Sequence, residues 1–270
     1  MHTTRRWLVT LLIVWAGLAI LFAFTDLRIS QAIYNPASAW GKFIETYGEI
    51  PAALLAFACG NILLRLARAE RQAGSLLEAI GLALLVFFEG IFLLALVFGV
   101  QNRVYQDVPL ILGLDVLLIL VAQLGLRRIP LDKLVPIKPA ARVGLTLLIV
   151  ASLTVWSIKI PWGRWSYREI LHAGDPSLFT PWYLPQGFNG HFSFISGHAA
   201  LIFSVLPLAL FFRSGTRARD VTLLLIFAWG VLAALGRVIY GAHFASDVLF
   251  GGCETILWFL ILSRWFKADF

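Results

Sequence analysis

Leu76–Val100 reads LLEAIGLALLVFFEGIFLLALVFGV, twenty-five residues with two carboxylates and no Lys or Arg. An α-helix needs about 20 apolar residues to cross the hydrocarbon core of a bilayer, so this run reads as a membrane span. Outward from it, apolar runs recur at Trp7–Phe24, Pro51–Leu66, Val108–Leu126, Val143–Ile158, His198–Phe212, Val221–Arg237 and Ala245–Leu262. The expected fold is therefore all-α, a polytopic membrane helical bundle of about eight spans. The composition agrees: of 270 residues, 60% are hydrophobic and 14% charged, against about 25% charged in a soluble domain. Too few polar side chains remain to coat a water-facing surface, and too little chain remains for a separate aqueous domain. A single domain over residues 1–270 is expected.

The first run resembles the apolar core of a signal peptide behind Arg5 and Arg6. No small-residue cleavage site follows it, however, and Phe22-Ala23-Phe24-Thr25-Asp26 continues into the chain, so a retained helix is expected. The net charge of +7 and a pI near 9.8 would favour nucleic-acid binding in a soluble protein. Here the distribution accounts for it. Fifteen Lys and Arg fall at alternate loops on one side, among them Arg71, Arg127, Arg128, Lys133, Arg213 and Arg264, and seven fall on the other: Arg28, Lys42, Arg103, Lys159, Arg164, Arg168 and Arg237. Cytoplasmic loops carry the basic excess. Both termini are thus expected in the cytoplasm and no nucleic-acid partner is expected. Cys59 and Cys253 lie inside apolar runs and suggest neither a disulfide framework nor a thiolate metal site.

Acidic residues within spans default to a functional hypothesis. Glu78 lies near a helix end, Glu254 follows Gly251-Gly252-Cys253, and Glu89 and Asp115 are deep. Pairing within the bundle competes there with a relay or transport role. No repeat of the solenoid or inverted-transporter kind is visible.

Three polar clusters fall on the side with fewer cations. Lys159-Ile-Pro-Trp-Gly163-Arg164-Trp-Ser166-Tyr-Arg168-Glu169 ends the fifth run; alone, its cations could be span-end side chains reaching for head groups. Ser193-Phe-Ile-Ser196-Gly197-His198 opens the sixth, where Ser and Gly suit a helix start and free N–H groups suit an anion. His198 would there be placed to protonate a departing oxygen. In Gly236-Arg237-Val-Ile-Tyr-Gly241-Ala-His243-Phe-Ala-Ser-Asp247, His243 and Asp247 are four apart, so on a helix the carboxylate can fix the imidazole tautomer. Two histidines, an orienting carboxylate and several cations are what metal-free phosphoryl transfer needs, because charge stabilisation dominates that reaction. A metal at two His and one Asp is the weaker alternative, since the surrounding cations would repel it.

The order Lys-x4-Arg, Ser-Gly-His, Arg-x5-His-x3-Asp over Lys159–Gly252 resembles the three-part signature of the type 2 phosphatidic acid phosphatase superfamily. Weaker likeness extends over Phe24–Leu64, where Thr25-Asp26-Leu27 and Tyr47-Gly48-Glu49-Ile50-Pro51 look like that family's first extracytoplasmic loop. The resemblance implies a six-helix core, here with two more spans before the first motif, and catalysis without metal or other cofactor. It implies that His243 attacks phosphorus to form a phosphohistidine, that Asp247 orients it, and that His198 protonates the leaving group and then activates water. Lys159, Arg164 and Arg237, with Ser196 and the Gly197 N–H, would hold the phosphate oxygens. The chain departs from the pattern at Ser166-Tyr167, where the family has Arg-Pro and where Arg168 is the candidate substitute, at Ile195 in place of Pro, and at Gly236 in place of Ser.

The function expected is hydrolysis of a lipid phosphate or diphosphate, of undecaprenyl diphosphate or phosphatidate type, on the extracytoplasmic face of a cell membrane. Lipid phosphotransfer at the same site, or transport of an anion or phospholipid, are the alternatives. The aromatic residues Trp162, Trp165, Trp182 and Tyr183 flank the motifs as a head-group belt would, which favours a substrate embedded in the bilayer. The sequence does not choose among lipids and carries no sign of oligomeric state.

Overall fold

The fifth apolar run stops where its chemistry requires. Pro161 sits in the last turn of its helix, and Gly163 caps that helix in the left-handed conformation with φ 61°. A Cβ at Gly163 would run into the Gly187 carbonyl and Asn189, so a residue without one is needed here. The chain then turns inward, and the Gln186 N–H and the Asn189 side-chain amide donate to the carbonyls of Trp162 (2.7 Å) and Gly163 (2.6 Å).

A computed structural model describes residues 2–69, 73–98 and 108–268, with the side chains of residues 2–7 and 73–76 not described. Arg71 and Arg103 of the charge count lie outside those residues, as do the side chains of Arg5 and Arg6. The described residues are helical, with no strand among them. In chain order the helices are α1 (His2–Ile33), α2 (Ala39–Tyr47), α3 (Ile50–Ala69), α4 (Ala73–Val97), α5 (Val108–Arg127), α6 (Leu131–Leu134), α7 (Lys138–Trp162), α8 (Tyr167–Ala173), α9 (Gly197–Phe203), α10 (Arg217–Ile239) and α11 (Ala245–Trp265).

Among the described residues all eight apolar runs are helical, and seven helical stretches are long and apolar enough to cross a membrane. The sixth run is the short one. After α9, Ser204 bonds back to the Ala200 carbonyl and Pro207 has no N–H to continue the ladder, so the chain tightens into a 3-10 helix at Leu206–Phe211. Together the two rise roughly 22 Å, less than the ~30 Å hydrocarbon core.

α11 is the hub of one half, packing on α1, α7 and α9, and α3 is the hub of the other, packing on α4 and α7. Ala52, Ala56, Val143, Leu147, Phe203, Leu206, Ile226 and Phe259 form the buried seam between the halves. α4 and α5 form an outer hairpin on α3. Gln123 of α5 donates from its amide to the Asn61 side-chain oxygen (2.9 Å) and backbone carbonyl (3.0 Å) of α3. Asp115 is fully buried beside Gly90 and Phe57, and neither its oxygens nor Glu89 Oε2 has a hydrogen-bond partner. Glu254 accepts from the Thr255 hydroxyl, whereas Glu78 is exposed.

Candidate active site

At one end of the bundle, the C-terminal ends of α7 and α10 meet the N-terminal ends of α9 and α11, with α2 and α8 laid across them. Gly251 of α11 lets that helix pass against the Ser196 carbonyl, where a Cβ would collide, and the Ser196 N–H donates to the Asp247 carbonyl (2.9 Å). This close approach brings the second and third polar clusters together.

His243 lies between α10 and α11 and is 4% exposed. Its Nδ1 is 2.8 Å from the Ser193 carbonyl oxygen. A carbonyl only accepts, so Nδ1 carries the proton and Nε2 keeps its lone pair. Burial pushes the ring down to about 3, with the Asp247 charge opposing. The ring is therefore neutral at neutral pH. The sign follows: its stabilisation is present above the ordinary value of about 6.5 and is lost as pH falls toward the folded value.

Asp247 shares the helix face expected from its spacing, but its Oδ2 is 3.7 Å from His243 Nδ1, beyond a hydrogen bond. That oxygen instead accepts from the Ser193 hydroxyl (2.5 Å) and the Phe244 N–H (2.8 Å). Asp247 is thus linked to His243 through Ser193, whose hydroxyl donates to the carboxylate and whose carbonyl accepts from the ring N–H.

Arg164 is buried among protein acceptors. Its side chain is 1% exposed, and it donates to Asp247 Oδ1 (2.5 Å), Ser246 Oγ (2.8 Å), Asp26 Oδ2 (2.9 Å) and the Thr180 carbonyl (3.0 Å). Its guanidinium also stacks 4.3 Å from the Phe244 ring. The guanidinium expected to hold phosphate oxygens anchors two carboxylates in this structure. Asp26, read from sequence as part of a loop, lies within α1, is 1% exposed and also accepts from the Ser246 N–H (2.9 Å).

Arg168 and Arg237 converge instead. Their guanidinium groups both pair with Glu45 of α2, Arg168 Nη1 at 3.5 Å from Oε1 and Arg237 Nη1 with Oε2. Arg168 reaches this point because Ser166 opens α8: the Glu169 carboxylate accepts from the Ser166 N–H (2.7 Å) and hydroxyl (2.6 Å), a capping pattern that satisfies the helix start. Arg168 then follows within the first turn, its N–H donating to the Gly241 carbonyl (2.9 Å).

His198 begins α9, with Nδ1 3.2 Å from Glu49 Oε1 and Nε2 3.1 Å from the Glu45 carbonyl oxygen. Lys159 is 9% exposed in the last turn of α7, its Nζ directed at the start of α9, 3.9 Å from where a Cβ on Gly197 would lie. The Ser196 hydroxyl is buried and caps α9 by accepting from the Ala199 N–H (3.3 Å).

Of the belt aromatics, Trp162 and Trp182 pack on Phe194 and Trp165 stacks on His191, while Tyr183 remains exposed. Among the described residues, no three His, Cys, Asp or Glu side chains converge as a metal ion would require.

Residues 141–270 match the family model of the PAP2 superfamily. Over those residues the chain is similar to the PAP2 superfamily. This is a phosphatase-type family, and the polar end just described falls mostly within the matched span. No curated protein and no solved structure matches the chain. The PAP2 match begins in α7, so Asp26, Glu45 and Glu49 come from outside it.

Two departures from the PAP2 signature now have physical reasons. Ser166 caps α8. A Cβ at Gly236 would lie 3.0 Å from Trp40 Nε1 and 3.2 Å from Ile44, so the place of a serine side chain is filled by α2, with Trp40 Nε1 donating to the Leu232 carbonyl (2.9 Å). The third, Ile195, is buried in a cluster with Val155, Phe194 and Ala200.

Proposed function

We propose that the protein is a lipid phosphate or lipid diphosphate phosphatase of undecaprenyl diphosphate or phosphatidate type, working through a phosphohistidine on the extracytoplasmic face without a metal ion. The observation that carries this reading is the convergence of Arg168 and Arg237 on one oxyanion, the Glu45 carboxylate, beside His198. A phosphate group with its non-bridging oxygens between two guanidinium forks would meet the same donors.

In the proposed reaction the His243 Nε2 lone pair forms the N–P bond as the bond from phosphorus to the leaving oxygen breaks, and His198 gives that oxygen its proton. The positive charge gained by His243 is met by Nδ1–H donation to Ser193 and by the Asp247 carboxylate. Water then attacks phosphorus, His198 takes its proton, the N–P bond breaks and phosphate leaves. Lys159, Arg168 and Arg237 meet the charge on the phosphoryl oxygens, where removing a single preorganised donor typically costs about a hundredfold or more in rate.

The test is phosphate release from a panel of phosphatidate, phosphatidylglycerol phosphate and undecaprenyl diphosphate in mixed micelles, with and without a chelator. The parent is expected to hydrolyse at least one lipid with chelator present. His243→Ala is expected to fall to background, and Arg237→Ala by about a hundredfold or more. Retained activity in His243→Ala overturns the reading; strict dependence on an added divalent ion overturns its metal-free part.

A further inference from the structure

His198 faces two acceptors. A backbone carbonyl oxygen lies 3.1 Å from Nε2 and a carboxylate oxygen 3.2 Å from Nδ1. The Nε2 contact is a hydrogen bond to a carbonyl, so Nε2 carries a proton, and the Nδ1 contact becomes an ion pair when Nδ1 is protonated as well. The Glu45 carbonyl carries no net charge, which leaves Glu49 as the counter-charge.

We propose that Glu49, at the turn between α2 and α3, is a positioning residue that holds His198 as the imidazolium. This rests on the phosphatase reading, in which His198 must carry a proton before the leaving group departs. The ring and the carboxylate are 21% and 12% exposed, sheltered enough for the pair to be stronger than a surface one. Burial is the largest influence on the ring and, with the like charges of Lys159 from α7 and Arg168 from α8, pushes it below its ordinary value, while Glu49 is the charge that raises it. Glu45 of α2 spends its carboxylate on Arg168 and Arg237. Glu49 therefore stands against two cations, and without its charge the proton is lost at lower pH. A turn outside the family-matched span thereby sets the pH range in which the site can donate its proton.

The experiment uses the full-length protein in detergent with 15N-labelled histidine, the His198 signals assigned by their loss in His198→Gln. In the parent at the pH of maximal kcat, both His198 ring nitrogens are expected to be protonated. In Glu49→Gln, which keeps the shape and removes the charge, the His198 titration midpoint is expected to fall by one unit or more. The high-pH limb of kcat on the active lipid is expected to move down by the same amount, with KM changed less than threefold and Glu49→Asp restoring the parent profile. A neutral ring in the parent at the pH of maximal kcat overturns the proposal without need of any variant, as does a limb and midpoint unmoved in Glu49→Gln. If no lipid phosphate is hydrolysed, the phosphatase reading fails, and the ring titration still decides the role of Glu49.

Discussion

A guanidinium whose N–H groups are committed to Asp26, Asp247, Ser246 and the Thr180 carbonyl, as those of Arg164 are, has little left to offer a phosphate. Four residues on, Arg168 is 36% exposed, meets the Glu45 carboxylate at 3.5 Å and lies 5.4 Å from the centre of the Tyr240 ring. The two should fail differently. Arg164→Ala leaves two buried carboxylates unpaired and is expected to cost about 3–5 kcal/mol of stability, seen as a large fall in unfolding midpoint in detergent. Arg164→Lys should not rescue it, because one ammonium cannot reach acceptors spread around a planar fork. Arg168→Ala is expected to change stability by no more than about 0.5 kcal/mol while lowering kcat/KM about tenfold or more, the loss of one charged hydrogen bond of roughly 1.5–3 kcal/mol. The opposite outcome, a stable Arg164→Ala protein with raised KM, would return Arg164 to the phosphate site. Residues 164 and 168 could be told apart only by geometry. Ser166 and Glu169 do form a capping pattern visible in the sequence, and it was the available sign that Arg168 opens a helix.

At the scale of elements, α2 is the piece that hydropathy does not reveal. Nine residues with a lysine and a glutamate are too short and too polar for a span, yet Gly41 and Gly236 let α2 sit tightly on α10, and that contact delivers Glu45 to Arg237. The α4–α5 hairpin is the opposite case, plain in hydropathy and supplying none of the candidate site residues. It packs chiefly on α3. The Gln123 amide bonds to Asn61 join it to α3 in a setting without water, where such bonds are worth about 0.6 kcal/mol on average and up to about 1.7. Gln123→Leu is therefore expected to destabilise the protein by about 1 kcal/mol while leaving kcat and KM unchanged. A change in kcat with stability intact would mean that the hairpin communicates with the site.

For the whole molecule, the distribution of basic residues makes a directional prediction. Phe188 is 82% exposed at the polar end and Ser214 is exposed in the turn before α10, at the other end. Cys59 and Cys253 are both buried, so background labelling should be low. In intact cells a membrane-impermeant maleimide is expected to label Phe188→Cys and to spare Ser214→Cys until the membrane is permeabilised. The reverse pattern would place the polar end in the cytoplasm and contradict the basic-residue rule.

Membrane insertion, the eight helical runs and the pairing of Ser-Gly-His with Arg-x5-His-x3-Asp follow from the sequence by itself. Hydropathy acts over consecutive residues, and His243 and Asp247 are close enough in the chain for spacing to relate them. Tertiary structure alone decided that Asp26 joins Asp247 through Arg164, across 138 and 83 residues, that the Ser193 carbonyl rather than Asp247 accepts from the His243 ring N–H, and that Glu45 and Glu49 enter the site. Long-range ion pairs and backbone acceptors leave no local pattern. Their partners are chosen by which helix ends meet, and that is settled by packing.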